Sequence, residues 1–275
     1  MDPQAAMVSL QAVTKRFESR RGTVDAVIDV SFSVGQGEFV SILGPSGCGK
    51  STLLRLMAGV APVSSGEIRM AGNRVNGPVR GLGMVFQTPV LLEWRDVLGN
   101  VLLPLEIMRT TGQDARRRAH ELIEMVGLAD FKRRLPWELS GGMQQRVAIC
   151  RALVINPPIL LMDEPFGALD ALTRDEMALE LLRIWGETRK TIVFVTHSIE
   201  EAVLLSDRVV VMTPRPGHVD QIVDIALPRP RTSETRYAER FTEYSHRLRE
   251  AIFQRRATEG AASRPGDEGL RDEIA

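Results

Sequence analysis

A glycine-rich segment, GPSGCGKS at residues 44–51, constrains the fold of this chain more than any other feature. It satisfies the pattern G-x-x-x-x-G-K-[ST], in which glycines let successive backbone N–H groups converge on phosphate oxygens. The flanking segments fit the strand–loop–helix context of this pattern, since 38–43 reads as a buried strand and 52–58 has helical apolar spacing. We therefore expect a phosphate-binding loop rather than a glycine-rich turn that matches by chance.

The residues of this loop suit a nucleoside triphosphate with its metal ion. Lys50 is expected to reach the β- and γ-phosphates, and the Ser51 hydroxyl is expected to bind Mg²⁺. The helix that follows adds a favourable dipole at its N-terminus. The predicted nucleotide-contacting residues of the loop are Gly44, Pro45, Ser46, Gly47, Cys48, Gly49, Lys50, Ser51 and Thr52. The loop alone leaves open what the nucleotide is used for.

Composition narrows the functional class. Lys+Arg and Asp+Glu balance at 35 each, so no basic field indicates a nucleic-acid partner. The two cysteines, Cys48 and Cys150, lack metal-ligand or redox spacing, which fits a reducing cytosol. The first residues show no secretory signal, and the longest apolar runs are strand-sized. We expect a soluble protein that can still dock on a membrane protein.

Several buried strands are predicted to end in polar residues. The apolar runs lie at 83–86, 159–162 and 191–196. Gln87, the pair Asp163 and Glu164, and His197 follow them at the edge where open α/β sheets bind ligands. One carboxylate of the pair can hold Mg²⁺ and the other can act as general base, and the two point to opposite sides if the strand persists. Taken singly, each residue could instead be an ordinary loop or turn residue.

Two further features, an aromatic residue and a helix start, each allow two interpretations. Phe17 lies in a polar segment between two predicted strands, where its ring either plugs the space under a loop or stacks on adenine. Ser140 is a good N-cap, and Gly141 and Gly142 after it leave backbone N–H groups unobstructed. This helix start is either a second anion-binding terminus or only a well-capped helix.

The remaining segments suggest one α/β domain with an insertion and a tail. Residues 93–138 are helical, charged and without strand signals, and the sheet pattern resumes after them. The chain from residue 228 is Arg-rich, with an amphipathic helix expected near 235–253. Low hydrophobicity predicts disorder over 261–268.

In this order the elements resemble the ATP-binding subunit of ATP-binding cassette (ABC) transporters over residues 7–230. The phosphate loop and the strand ending at Glu164 are similar to its two Walker motifs, and LSGGMQQ at 139–145 is similar to its signature, which other P-loop classes lack. Further positions match its Q-loop, D-loop, switch histidine and adenine-stacking aromatic: Gln87, 168–170, His197 and Phe17.

The resemblance implies an α/β fold, a P-loop NTPase RecA-like core with an antiparallel β-subdomain and a helical signature subdomain (the ABC ATPase fold). The helical subdomain would span about 93–156, and 231–275 would form a C-terminal helical extension and disordered tail. The activity implied is ATP hydrolysis with Mg²⁺ in a head-to-tail homodimer. Each ATP would lie between the phosphate loop of one copy and the signature helix of the other.

The same resemblance assigns roles to individual residues. Ser51, Gln87 and Asp163 would bind the metal ion. Glu164 would polarise the attacking water, with His197 on the γ-phosphate and Lys50 on the phosphates. Ser140, Gly141 and Gly142 would complete the nucleotide site of the other copy.

Finer similarity points to an importer. EPFGALD at 164–170 looks like an importer segment, and 212–217 with 227–231 resemble the nitrate/sulfonate/taurine branch. LLEW at 91–94 departs from that branch, where proline usually precedes the tryptophan at the permease contact. The expected partners are a second copy, an integral membrane permease and, indirectly, an extracytoplasmic solute-binding protein, but no nucleic acid.

The expected location is the cytoplasmic face of the bacterial inner membrane, with the chain bound peripherally. The alternatives are a soluble ABC ATPase acting on nucleic acid or the ribosome, and an exporter cassette.

Overall fold

The computed structural model describes residues 6–19, 22–110 and 112–262, with the backbone alone at residue 19 and over 253–262. Of the segment expected to be disordered, residues 263–268 lie outside the described residues. No helix in the described part is both long and apolar enough to cross a membrane.

Strands in the described residues form two sheets. The strands are β1 Val8–Ser19, β2 Gly22–Val34, β3 Phe39–Leu43, β4 Ser65–Met70, β5 Asn73–Arg74, β6 Gly83–Val85, β7 Ile159–Asp163, β8 Thr191–Thr196, β9 Arg208–Met212 and β10 Val219–Asp224. A four-stranded antiparallel sheet has the order β2-β1-β4-β5, and a six-stranded sheet has the order β10-β9-β3-β8-β7-β6. Within the larger sheet only β10 runs antiparallel. The predicted α/β core and antiparallel subdomain are confirmed.

Helices fill the segments between the strands. They are α1 Lys50–Met57, α2 Val97–Ile107, α3 Gln113–Met125, α4 Gly141–Leu153, α5 Ala171–Thr188, α6 Ile199–Leu205 and α7 Glu239–Ala262. Short 3-10 turns lie at 129–131, 136–138 and 233–237. Side chains cap several helix starts, as where Asp96 accepts from the Gly99 N–H and Asp170 from the Thr173 N–H. Between β6 and β7 lie α2, α3, two of the 3-10 turns and α4; the bounds of the inserted helical subdomain, about 93–156, stay a prediction.

The central parallel strands are apolar on both faces because both faces are covered. Alternate residues of β3 pack in opposite directions: Phe39 and Leu43 join a cluster with the helices α2 to α7, whereas Val40 and Ile42 join a cluster with α1 and the antiparallel sheet. Parallel pairing also brings the carboxyl ends of β3, β6, β7 and β8 to one edge. That edge receives the polar residues predicted for the site.

One local prediction is wrong. Strand β1 continues to Ser19, so Phe17 pairs with Val24 inside the strand and does not lie in a segment between strands. The polar residues misled the interpretation because this part of the antiparallel pair faces solvent. Phe17 is 46% exposed and therefore does not plug a space under a loop.

A buried arginine joins the C-terminal extension to the core. The Arg231 side chain is 5% exposed, and burial lowers the pKa of its guanidinium to about 10. The guanidinium donates to backbone carbonyls near the ends of α6 and β10, those of Val203, Leu204, Ser206, Ile225 and Leu227. Helix α7 then packs Phe241 and Leu248 into the cluster that also contains α6.

We expect Arg231→Met to lower the free energy of unfolding by roughly 2–4 kcal/mol, because it leaves several buried carbonyls without a donor. Denaturant unfolding at neutral pH measures the change. Arg249→Met, on the exposed face of α7, is the control and should change stability by less than about 0.5 kcal/mol. An equal effect of the two substitutions would contradict the role given to Arg231.

Candidate nucleotide-binding site

The phosphate loop follows β3 and curls because two of its glycines adopt left-handed backbone. Gly47 has φ +79° and Gly49 has φ +99°, and α1 begins immediately afterwards at Lys50. The space behind Gly49 is closed, since an added Cβ would lie 2.6 Å from Val27 Cγ1. Ser46 and Gly47 are exposed at the tip, so the loop offers its backbone to a ligand.

Lys50 holds its ammonium group inside this curl. Its Nζ donates to the carbonyls of Gly44 (2.9 Å) and Pro45 (3.0 Å) and lies 3.5 Å from Glu164 Oε1. The side chain is 4% exposed, so little water screens its charge. A phosphate group entering the loop would meet this ammonium and the N–H groups at the start of α1.

Ser51 and Asp163 supply oxygens beside the loop. The Ser51 hydroxyl donates to Asp163 Oδ1 at 2.8 Å. Burial raises the pKa of the Asp163 carboxyl, and the hydrogen bond from Ser51 opposes that shift. Hydroxyl and carboxylate oxygens suit Mg²⁺, which takes few protein ligands and shares substrate phosphates. The described residues contain no cluster of three or more His, Cys, Asp or Glu side chains for a metal, so such an ion would also need phosphate and water.

The adjacent carboxylates do not point to opposite sides, because the strand does not persist. Strand β7 ends at Asp163, and Glu164 adopts left-handed backbone with φ +42°. Its N–H still donates to the Val195 carbonyl at 2.9 Å, which anchors the reversal to β8. Asp163 and Glu164 consequently both contact the phosphate-loop region, through Ser51 and Lys50 respectively.

His197 approaches the other oxygen of the same carboxylate. It is the first residue after β8, and its Nδ1 lies 3.0 Å from Glu164 Oε2. Glu164 therefore lies between the Lys50 ammonium and the His197 imidazole, one oxygen toward each. The His197 side chain is 52% exposed, so its remaining surface is free to meet a ligand.

Gln87 lies at the same edge of the sheet. It is two residues past the end of β6 and is exposed. A Cβ added to Gly167 would lie 3.3 Å from Gln87 Nε2 and 3.8 Å from Glu164 Oε2, so the amide and the carboxylate flank this glycine. The structure thus brings together the phosphate loop, Gln87, Asp163, Glu164 and His197.

Ser140, Gly141 and Gly142 lie at the start of helix α4, and of the three Gly142 packs against helix α5. Ser140 caps α4 as predicted, accepting from the Met143 N–H at 3.3 Å. An added Cβ on Gly142 would lie 2.5 Å from Thr173 Cγ2, so this glycine permits close packing on α5. Ser140 and Gly141 are exposed and available to another molecule.

Phe17 offers an exposed ring on β1. The Lys15 ammonium lies 5.1 Å from the ring centroid, a cation–π contact on a surface that is otherwise open. Such a ring can stack on a base of any identity. The adenine-stacking role stays a prediction.

Gly217, which the sequence analysis included only in the segment 212–217 that resembles an importer branch, supports the phosphate loop from behind. Its N–H donates to the Ala26 carbonyl (3.1 Å), and its own carbonyl accepts from the Ile28 N–H (2.9 Å). An added Cβ would lie 1.9 Å from the Cys48 carbonyl oxygen. The Cys48 thiol is buried at this wall, and burial raises its pKa. A proline-rich turn carries no sequence signal of which loop it will contact.

We expect Gly217→Ala to displace the phosphate loop, because a backbone carbonyl has no room to yield to the new methyl group. ATP affinity should fall roughly tenfold, and stability by about 1–3 kcal/mol. Nucleotide titration and thermal unfolding measure the two effects. Gly186→Ala is the control, since a Cβ there meets nothing within 4 Å and the residue lies in α5. A Gly217→Ala protein with unchanged affinity would remove the supporting role.

Comparison with known proteins identifies the family. The family model described as ABC transporter matches residues 27–167. An uncharacterised ABC transporter ATP-binding protein of Methanocaldococcus jannaschii is 46% identical, over 90% of this chain and 91% of its own length.

Relatives with assigned roles include a taurine import ATP-binding protein of Roseobacter denitrificans and an aliphatic sulfonates import ATP-binding protein of Bacillus cereus. The first is 48% identical over 77% of this chain and 80% of its own length. The second is 42% identical over 83% of this chain and 90% of its own. Among solved structures, a dimeric ATP-binding cassette in a post-hydrolysis state with ADP and phosphate is 36% identical. The match covers 81% of this chain and 100% of the chain in the solved structure, with a TM-score of 0.71.

Proposed function

Because the chain belongs to the family of ABC transporter ATP-binding proteins, a group of ATPases, we propose that it powers a bacterial importer of a small sulfonate, taurine or nitrate-like solute. The taurine and sulfonate import proteins among its relatives support the direction and the solute class. The working location in this proposal is the cytoplasmic face of the inner membrane, peripheral to a separate permease. An extracytoplasmic solute-binding protein would deliver the solute.

The observation that carries the proposal is the convergence of Lys50, Asp163, Glu164 and His197 on the phosphate loop. Lys50 and the N–H groups of the loop bind the β- and γ-phosphates of ATP. Ser51, Asp163 and Gln87 would hold Mg²⁺, whose charge offsets that of the phosphates. The arrangement provides for phosphoryl transfer to water by positioning and charge stabilisation.

Glu164 is the general base in this mechanism. Its carboxylate accepts a proton from the water that attacks the γ-phosphorus, and His197 holds Oε2 from 3.0 Å. His197 also contacts the γ-phosphate with its exposed surface. Glu164 Oε1 lies 3.5 Å from Lys50 Nζ, so the base lies beside the phosphate-binding cation.

A second copy of the chain completes each nucleotide site in this proposal. Ser140 and Gly141 are exposed, and their contacts within one copy leave the outer side of the α4 N-terminus open. The dimeric state of the solved relative supports the pairing of two copies, which this proposal arranges head to tail. Closure on ATP and opening after hydrolysis would then shift the permease between its states.

The surface next to Gln87 is suited to the permease. Several exposed apolar side chains lie on this part of the chain: Phe86, Val90, Trp94, Ile107 and Met108. Four of them, all but Trp94, border a groove of about 410 Å³ between α2 and β6. Exposed apolar patches of this kind mark protein–protein contacts, and Gln87 would link this one to the nucleotide.

Glu164→Gln should reduce ATP hydrolysis by roughly 100-fold or more, because the amide cannot accept the proton from water. ATP binding should persist and should trap an ATP-bound dimer, since the amide keeps the shape of the carboxylate. Turnover assays and size-exclusion chromatography with ATP measure the two effects. Glu121→Gln, exposed on α3, is the control. Retained turnover would remove Glu164 from the role of base.

ATPase activity of the complex reconstituted with its permease and solute-binding protein should rise on addition of the correct solute. Taurine, alkanesulfonates, nitrate and pyrimidines are the solutes to compare. Stimulation by one of them, with co-purification of a multi-span permease, supports the importer. Stimulation by DNA or ribosomes, with no permease recovered, would instead favour the soluble ABC ATPase.

A further inference from the structure

A buried carboxylate that the mechanism does not use lies four residues after His197. Glu201, in the first turn of α6, is 6% exposed. Its Oε2 accepts from the Thr196 hydroxyl at 2.5 Å. A buried acid requires partners of this kind, because an isolated buried charge is costly.

The Thr196 hydroxyl links the residue before His197 to the residue after it and to Glu201. It gives its single proton to Glu201 and accepts from the Ser198 N–H at 2.9 Å. The Ser198 hydroxyl in turn accepts from the Glu201 N–H at 3.3 Å. The turn that carries His197 is therefore held from both sides by one carboxylate and two hydroxyl groups.

The other oxygen of Glu201 faces Arg174 on helix α5. Arg174 Nε lies 3.8 Å from Glu201 Oε1, and this buried nitrogen has no hydrogen-bond partner in the described part of the chain. Arg174 Nη2 donates to the Leu169 carbonyl at 3.0 Å. Leu169 belongs to the short segment that runs from Glu164 to the start of α5.

We infer that Glu201 is a positioning residue that orients His197 against Glu164. The contacts form a closed ring. His197 bonds to Glu164, and the chain from Glu164 leads to Leu169, whose carbonyl accepts from Arg174. Arg174 pairs with Glu201, and Glu201 accepts from Thr196, the residue before His197. Glu201 touches neither the nucleotide loop nor a reacting atom. This inference rests on the proposed function, in which Glu164 and His197 act on water and phosphate.

The charge of Glu201 matters as well as its shape. An amide at this position could still accept from Thr196, but it would lose the ion pair with Arg174 and leave that guanidinium without a buried counter-charge. The ring would then open between α5 and α6, and the His197–Glu164 distance would no longer be fixed. An error of about 1 Å in such geometry can cost up to 100-fold in rate.

Glu201→Gln in the full-length chain should lower kcat for ATP hydrolysis roughly 10- to 100-fold and leave KM for ATP within about twofold, since phosphate binding is untouched. Glu200→Gln is the matched control, because Glu200 is the exposed neighbour on the same helix. An unchanged kcat for Glu201→Gln would overturn the inference. An equal loss of kcat in the Glu200→Gln control would also overturn it.

A double-mutant cycle with His197→Ala separates positioning from general stability. If Glu201 acts through His197, adding Glu201→Gln to His197→Ala should change kcat by less than about twofold. A full multiplicative loss would overturn the inference and leave the proposed function intact. An unchanged kcat for His197→Ala alone would overturn the proposed role of His197 and, with it, the inference.

Two hydroxyl variants keep the test valid if Glu201→Gln fails to fold. Thr196→Val is nearly isosteric and removes the link, so it should reproduce the loss in kcat. Thr196→Ser retains the hydroxyl and should lose much less activity. Thermal unfolding identifies the folded variants. Equal kcat values for folded Thr196→Val and Thr196→Ser would contradict the connection.

Discussion

The reversed backbone at Glu164 is the constraint on which the site depends. In a continuing strand, Asp163 and Glu164 would face opposite sides of the sheet, and only one could reach the phosphate loop. Left-handed φ at Glu164, anchored by the bond to Val195, brings both to the same side. Such a conformation is unfavourable for a residue with a side chain and persists because neighbouring strands hold it. Asp163 thereby bonds to Ser51, whereas Glu164 contacts Lys50 and His197.

Much of the site could be predicted because parallel strands share an edge. Once residues 83–86, 159–162 and 191–196 were interpreted as buried strands, the positions of Gln87, Asp163 and His197 near the phosphate loop followed from sheet geometry alone. The N-cap at Ser140 was also predictable, since it depends only on local hydrogen bonding.

The rest depends on contacts between distant segments. The extension of β1 through Phe17 requires a partner strand, and polar composition hides it. Gly217 supports Cys48 from about 170 residues away, and nothing in a turn sequence specifies that neighbour. Glu201 could have been noticed as an acidic residue on the apolar side of a helix, but its partner Arg174 lies on another helix. Tertiary packing decides these features after the local pattern is satisfied.

Arg231 has a consequence for how the two ends of the domain are connected. The short helix α6 is fixed at its first turn by Glu201, beside His197, and at its last turn by the Arg231 guanidinium on the carbonyls of Val203 and Leu204. Helix α6 thus spans the distance between these two sets of contacts. The C-terminal extension and the turn that carries His197 are therefore joined through the seven residues of α6, so the packing of the extension helps to fix that turn.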